Sequence, residues 1–108
     1  MRAAPLLALA AQLLLPSGPL QAAPGAVTGY VSDEACARDG GGPPACARRC
    51  IEAGSVAVLL TRGGRIYRVD DQRRIAEWAG RTVSVSGDIR GRRIVRIDSV
   101  AEIRVRRR

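Results

Sequence analysis

Between Arg2 and Asp33 the chain carries no charge, and the first half of that interval is almost wholly leucine and alanine: Leu6 to Ala11, then Leu13, Leu14 and Leu15. Pro16, Ser17 and Gly18 end the run, and small residues follow at Ala22 and Ala23. A charged start, a short apolar centre and a small-residue exit are the three parts of a secretory signal peptide. The centre is shorter than the ~20 residues a bilayer-spanning helix needs. Length thus argues against the alternative, an uncleaved N-terminal anchor. The expected leader is residues 1–22, cut after Ala22 with Leu20 and Ala22 as the recognised side chains. Cutting after Ala23 would instead leave Pro24 next to the cut. No Cys stands nearby to take a lipid. The longest apolar run is therefore lost to the core, and the rest is expected to be periplasmic or secreted, with no transmembrane segment after processing.

What remains is expected to be one domain, residues 23–103, with a basic tail, 104–108. A domain of this size buries only ~60–65% of the surface its unfolded chain exposes, so a covalent staple would matter. Aromatics are limited to Tyr30, Tyr67 and Trp78, with no Phe. The core must come from Val, Ile, Leu and Ala. The formal charge is +8, and all 18 basic residues are Arg. That absolute preference fits a G+C-rich coding sequence better than selection for guanidinium chemistry. The excess is concentrated at residues 90–108, where eight Arg face only Asp98 and Glu102.

Residues 23–26 read as a linker. Val27 to Ser32 alternates as a strand. Residues 33–44 read as a loop, because Gly40-Gly-Gly-Pro-Pro44 forbids regular structure. Ala45 to Ala53 is a short helix between Pro44 and Gly54. Ser55–Leu60 and Arg65–Val69 form a hairpin around Thr61-Arg-Gly-Gly64. Asp70 or Asp71 caps a helix to Ala79 that turns Ile75, Trp78 and Ala79 to one face, with Trp78 in the core. Thr82–Ile89 and Arg93–Val105 are the last strands, and a change of inward phase between Ile97 and Val100 predicts a bulge near Ser99. The result is a mostly β, minor α+β chain. Its five short strands, with one helix between strands 1 and 2 and a short one between strands 3 and 4, have the order of an OB-type barrel. An open α+β sheet with both helices on one face is the competing arrangement.

The run from Ala79-Gly-Arg-Thr-Val-Ser-Val-Ser-Gly87 to Gly91, followed by Ile94-Val-Arg-Ile-Asp-Ser-Val100, resembles the closing hairpin of small exported bacterial OB-like proteins of uncharacterised function. So does Thr28-Gly-Tyr-Val-Ser-Asp-Glu-Ala-Cys36 with Cys46-Ala-Arg-Arg-Cys50 and Gly54. The resemblance covers most of residues 23–108 and implies fold and compartment. Some such proteins carry a His after the first Cys. Here Ala37, Arg38 and Asp39 occupy that loop, and the chain has no His.

Cys36, Cys46 and Cys50 are the most informative residues. In an oxidising compartment neighbouring thiols pair, and three allow one bridge and one spare. Cys46 and Cys50 share a helix face with Cα atoms ~6 Å apart, near the upper end for a disulfide. The expectation is a bridge from Cys36 to Cys46 or Cys50 across the glycine loop, worth ~3 kcal/mol in the chain-entropy model. Two alternatives use the free thiols. Three thiolates suit Cu(I), making copper the candidate cofactor, whereas zinc wants a fourth ligand that Asp33, Glu34 or Asp39 could supply as oxygen. Thiol–disulfide exchange is the other, though Cys-x-x-x-Cys is looser than the usual redox motif.

With no His, Ser–His and Cys–His nucleophiles and the usual zinc hydrolase sites cannot be built. Gly40-Gly-Gly42 is followed by prolines, which excludes a phosphate loop. The expected function is thus an exported, non-catalytic binding or structural module with no cofactor. Nucleic acid is disfavoured, since the basic cluster and the aromatics lie apart in sequence. Arg90, Arg92, Arg93 and Arg96 are candidate contacts for an anionic envelope surface, where each Arg adds ~1 kcal/mol.

Overall fold

The computed structural model describes residues 21–104. Residues 1–20, all but the last two of the expected leader, and the end of the basic tail, residues 105–108, lie outside the described residues. The elements run β1 (Ala23–Asp33), α1 (Glu34–Ala37), α2 (Pro44–Glu52), β2 (Ala57–Leu60), β3 (Ile66–Val69), α3 (Gln72–Ala76), β4 (Thr82–Arg90) and β5 (Arg93–Glu102). The strands close into a barrel in the order β1-β2-β3-β5-β4. All pairings are antiparallel except β3 with β5. This is the five-stranded OB arrangement that the element order predicts, and closure excludes the open sheet.

β1 serves two neighbours. Ala23–Tyr30 pair with β4, and Tyr30–Asp33 pair with β2. The exchange happens next to Gly29, where an added Cβ would stand 3.0 Å from the Leu60 carbonyl oxygen. Only glycine lets the two strands approach this closely. The inward positions of each strand supply the core: Val31, Leu59, Val83, Val85 and Ile94 are fully buried, and Ile75 of α3 joins them.

β3 and β5 pair through only Arg68↔Arg93 and Val69↔Ile94, so β5 is unaccompanied by β3 beyond that point. Arg74 covers it there, donating from Nη1 to the Ile97 carbonyl at 3.0 Å and from Nη2 to the Asp98 carbonyl at 3.1 Å. α3 begins where the Asp71 carboxylate accepts the Arg74 N–H at 3.2 Å. Asp70 is engaged elsewhere, with Arg93.

The bulge falls where expected: Ser86 faces Ser99 while Gly87 faces Ile97, leaving Asp98 as the extra residue. A second shift lies between Asp88 and Ile89. Three local readings are corrected. Residues 23–26 are strand rather than linker, because β4 offers them partners out to Ile89. The segment after Asp33 contains a helical turn, α1, capped by the Asp33 carboxylate. Helix α3 is shorter than predicted and Trp78 only partly buried, packed on the core with Arg81 5.8 Å from its ring centroid.

Candidate functional site

Two features lie around the insertion between β1 and β2. The first is a corner of thiols. Asp33 ends β1 with its residue only 3% exposed. Its Oδ2 accepts the Cys36 N–H at 3.4 Å, and the Cys36 thiol donates to the same carboxylate. Its Oδ1 has no hydrogen-bond partner. The hydrogen bond to Asp33, followed by burial and the nearby negative groups, pushes the Cys36 thiol up from 9.0 to about 12. On α2, Pro44 occupies the first turn, Ala47 and Ile51 face inward, and Cys46 and Cys50 sit at its part-buried flank. Cys46 and Cys50 stand four residues apart, one turn of α2. Burial chiefly, then Asp33 and Cys46, raise Cys50, against a smaller lowering by Arg49.

All three cysteines are free and half-buried, and no two are at bonding distance. The expected bridge is therefore not formed in this arrangement. The Cys36 thiol is turned to Asp33, and Cys46 and Cys50 sit on successive turns of one helix, near the limit of disulfide reach. Among the described residues no three His, Cys, Asp or Glu side chains are disposed to hold a metal ion. Of the oxygen donors considered, Glu34 is bound to Arg68 at 2.6 Å and Asp39 is exposed.

The second feature is a groove of about 470 Å³ beside the glycine loop, with Tyr30, Leu60 and Ile103 as its apolar surfaces, Thr28 and Thr61 as hydroxyl-bearing ones and Arg62 as its charged residue. The loop is fastened to the barrel. Tyr30 Oη donates to the Gly42 carbonyl at 3.0 Å, and Ser32 Oγ donates to the Gly41 carbonyl at 2.7 Å. Gly41 has φ 103° and lies so close that a Cβ would stand 3.0 Å from the Tyr30 ring. A side chain there is doubly opposed, by backbone and by space. Ile103 is 40% exposed, one of two large hydrophobic residues so placed among the described residues.

The basic cluster is partly neutralised. Arg93 makes a two-pronged bond to Asp70, and Arg96 pairs with Asp88 at 2.9 Å and with Asp98. Arg90 is engaged as well. Arg92 is exposed in the β4–β5 turn. The four candidates thus share one end of a hairpin, but not as a field of unopposed charge.

Sequence reasoning weighed Asp33 only as one of three possible oxygen donors, and missed Leu60, Gly40 and Ile103 as groove residues. A signal for Asp33 was available: Asp three residues before Cys36 is helix-capping spacing. No local pattern marks the groove, which is assembled from distant segments. Comparison with protein-family models, with curated proteins and with solved structures finds no match. No helix among the described residues is long and apolar enough to cross a membrane.

Proposed function

We propose that this chain is an exported, non-catalytic binding module of the small bacterial OB-like type, with the groove beside the glycine loop as its ligand site. The groove itself carries the reading. Its volume falls within the ~300–1,000 Å³ of small-molecule sites, and an apolar surface with a few polar groups is their usual composition. The absence of His from the whole chain supports the non-catalytic part. Export draws support from the leader pattern and from β1, which starts at Ala23, directly after the expected cut.

In an oxidising compartment, Cys36 pairs with Cys46 or Cys50 once its thiol leaves Asp33. The bridge spans the loop that walls the groove, so it would hold a binding surface in place as well as stabilise the fold. An anionic surface is a weaker partner, because it would have to displace Asp70, Asp88 and Asp98 from Arg93 and Arg96.

The test uses anilinonaphthalene sulfonate, an apolar anionic dye, with the protein recovered from the cell envelope. One saturable dye site, lost in Ile103→Asp with the fold intact, is the expected result. Dye binding that is absent, or indifferent to Ile103→Asp, overturns the groove. A mass spectrum reads export and thiol state. The expected species begins at Ala23 and is two hydrogens lighter than the fully reduced chain. A mass retaining Met1 overturns export.

A further inference from the structure

The barrel is closed, yet β1 keeps one open edge. It exchanges β4 for β2 at Tyr30, so from Ala23 to Gly29 it has β4 on one side and no strand on the other. Printed hydrogen bonds fix which residues face the open side. The Val31 N–H donates to the Arg81 carbonyl at 2.9 Å, toward β4, and the Glu34 N–H donates to the Val56 carbonyl at 2.8 Å, toward β2. In an antiparallel strand the N–H and C=O of one residue point to one neighbour, and those of the next residue to the other. The register with β4 runs unbroken from Ala23 to Tyr30. Val27 and Gly29 therefore face β4, and the N–H and C=O of Ala26 and Thr28 point into the open lane. Pro24 falls on that same side, where its missing N–H takes nothing from the β4 ladder. Among the described residues no other backbone or side-chain group bonds to the main chain of Ala26 or Thr28 there. Both residues are exposed.

The open lane runs into the groove. Thr28 lines both, and Leu60, Thr61 and Arg62, where β2 turns away, stand at the lane's end. We propose that the groove and the open edge of β1 together take an extended, acidic peptide segment of another protein as an added strand. The proposal rests on the groove as the binding surface and names its ligand class. Strand addition draws affinity from main-chain hydrogen bonds and specificity from side-chain pockets. Ala26 and Thr28 supply the first, and Tyr30, Leu60 and Ile103 the apolar part of the second. Arg62 sets the sign of the partner. It is the groove's charged residue, it makes none of the ion pairs among the described residues, and the chain carries +8. Opposite charge beside the edge attracts such a segment and fixes its register. A second copy is the poorer occupant. It would bring together two chains of +8, which repel, and would place Pro24, which has no N–H, in the lane. The added strand extends from Ala23 to Gly29 and no further, because β2 fills the lane from Tyr30 onward.

The purified chain is panned against a displayed library of random peptides of about seven residues, within the usual strand length. The expected winners carry Asp or Glu among alternating apolar residues. A synthetic copy of one winner should bind saturably and slow amide hydrogen exchange at Ala26 and Thr28, fast in the free chain, by at least about tenfold. Ala26→Pro removes an edge donor and no β4 bond, and should weaken that peptide roughly tenfold. Arg62→Glu, in an exposed turn, decides the matter even if Ala26→Pro does not fold. It should weaken the acidic peptide and turn the selection toward basic ones. No enrichment, enrichment of basic or uncharged peptides by the unmodified chain, or binding that leaves exchange at Ala26 and Thr28 unchanged overturns the added strand. So does a peptide-free dimer in which both amides are already protected, since a second copy then fills the lane. The dye separates the two readings. An Ile103-dependent dye site with no peptide selected overturns the added strand and leaves the groove standing. A peptide that protects the edge where no dye site exists supports the added strand and overturns the small-molecule groove.

Discussion

The side chain of Gln72 pairs with Ala57 as a neighbouring strand would. Its Oε1 accepts the Ala57 N–H at 2.8 Å, its Nε2 donates to the Ala57 carbonyl at 2.8 Å, and the same nitrogen reaches the Val69 carbonyl at 2.9 Å. One amide thus joins the start of β2, the end of β3 and the start of α3. Ala57 is fully buried, so removing the amide leaves backbone groups unsatisfied there. Gln72→Ala is expected to cost about 2 kcal/mol, read as a lower urea midpoint with unchanged slope. A change under about 0.5 kcal/mol would mean that water substitutes fully for the amide.

Gly87 sits at the bulge, where an added Cβ would collide with the Arg96 carbonyl. Gly87→Ala must move one of the two backbones and is expected to destabilise by about 3 kcal/mol or more. Gly63→Ala, whose Cβ meets nothing within 4 Å, is the control. It should stay within about 0.5 kcal/mol. Thermal melts of the two variants check the contrast.

Arg74 holds the exposed side of β5 through the Ile97 and Asp98 carbonyls. Arg74→Ala should lose about 1–2 kcal/mol, the lower range for charged hydrogen bonds, since part of the group is in water. It should also uncover an edge able to pair with another chain. Light scattering at rising concentration should show self-association that the parent lacks.

The thiol corner makes stability depend on alkaline pH in the reduced, metal-free protein. The Cys36 thiol stands near 12 in the fold against an ordinary 9.0. The unfolded chain therefore ionises first as pH rises. The contribution is whole below pH 9.0 and is lost as pH climbs from 9.0 to about 12. Cys50 and Tyr30 are raised too, so they act in the same direction. Denaturant midpoints from pH 8 to 11 should fall, and the fall should be shallower in Cys36→Ala.

The strands and the β5 bulge were legible because alternation and a phase change are local signals. Val83 and Val85 announce a buried face without knowledge of their neighbours. The extent of β1 was not legible. Ala23-Pro-Gly-Ala26 has no strand pattern, and only pairing with Gly87, Asp88 and Ile89 makes it one. At the site, the cysteines were visible as residues but their orientation was not. Whether a thiol meets another thiol or Asp33 depends on how α1 and α2 fold back on β1, which no spacing encodes. The ion pair of Arg93 was hidden for a similar reason. Asp70 lies 23 residues from Arg93, and composition showed only an excess of arginine.

The first strand of this barrel cannot finish its work alone or early. Its leading half waits for a partner that begins at Thr82, so a chain emerging from the ribosome has no mate for Ala23–Gly29 until most of the sequence exists. Joining distant segments is slow compared with forming local turns. The β2–β3 hairpin and the α2 turn can assemble while the domain is still open, and the meeting of β1 with β4 is the late event that makes them one body.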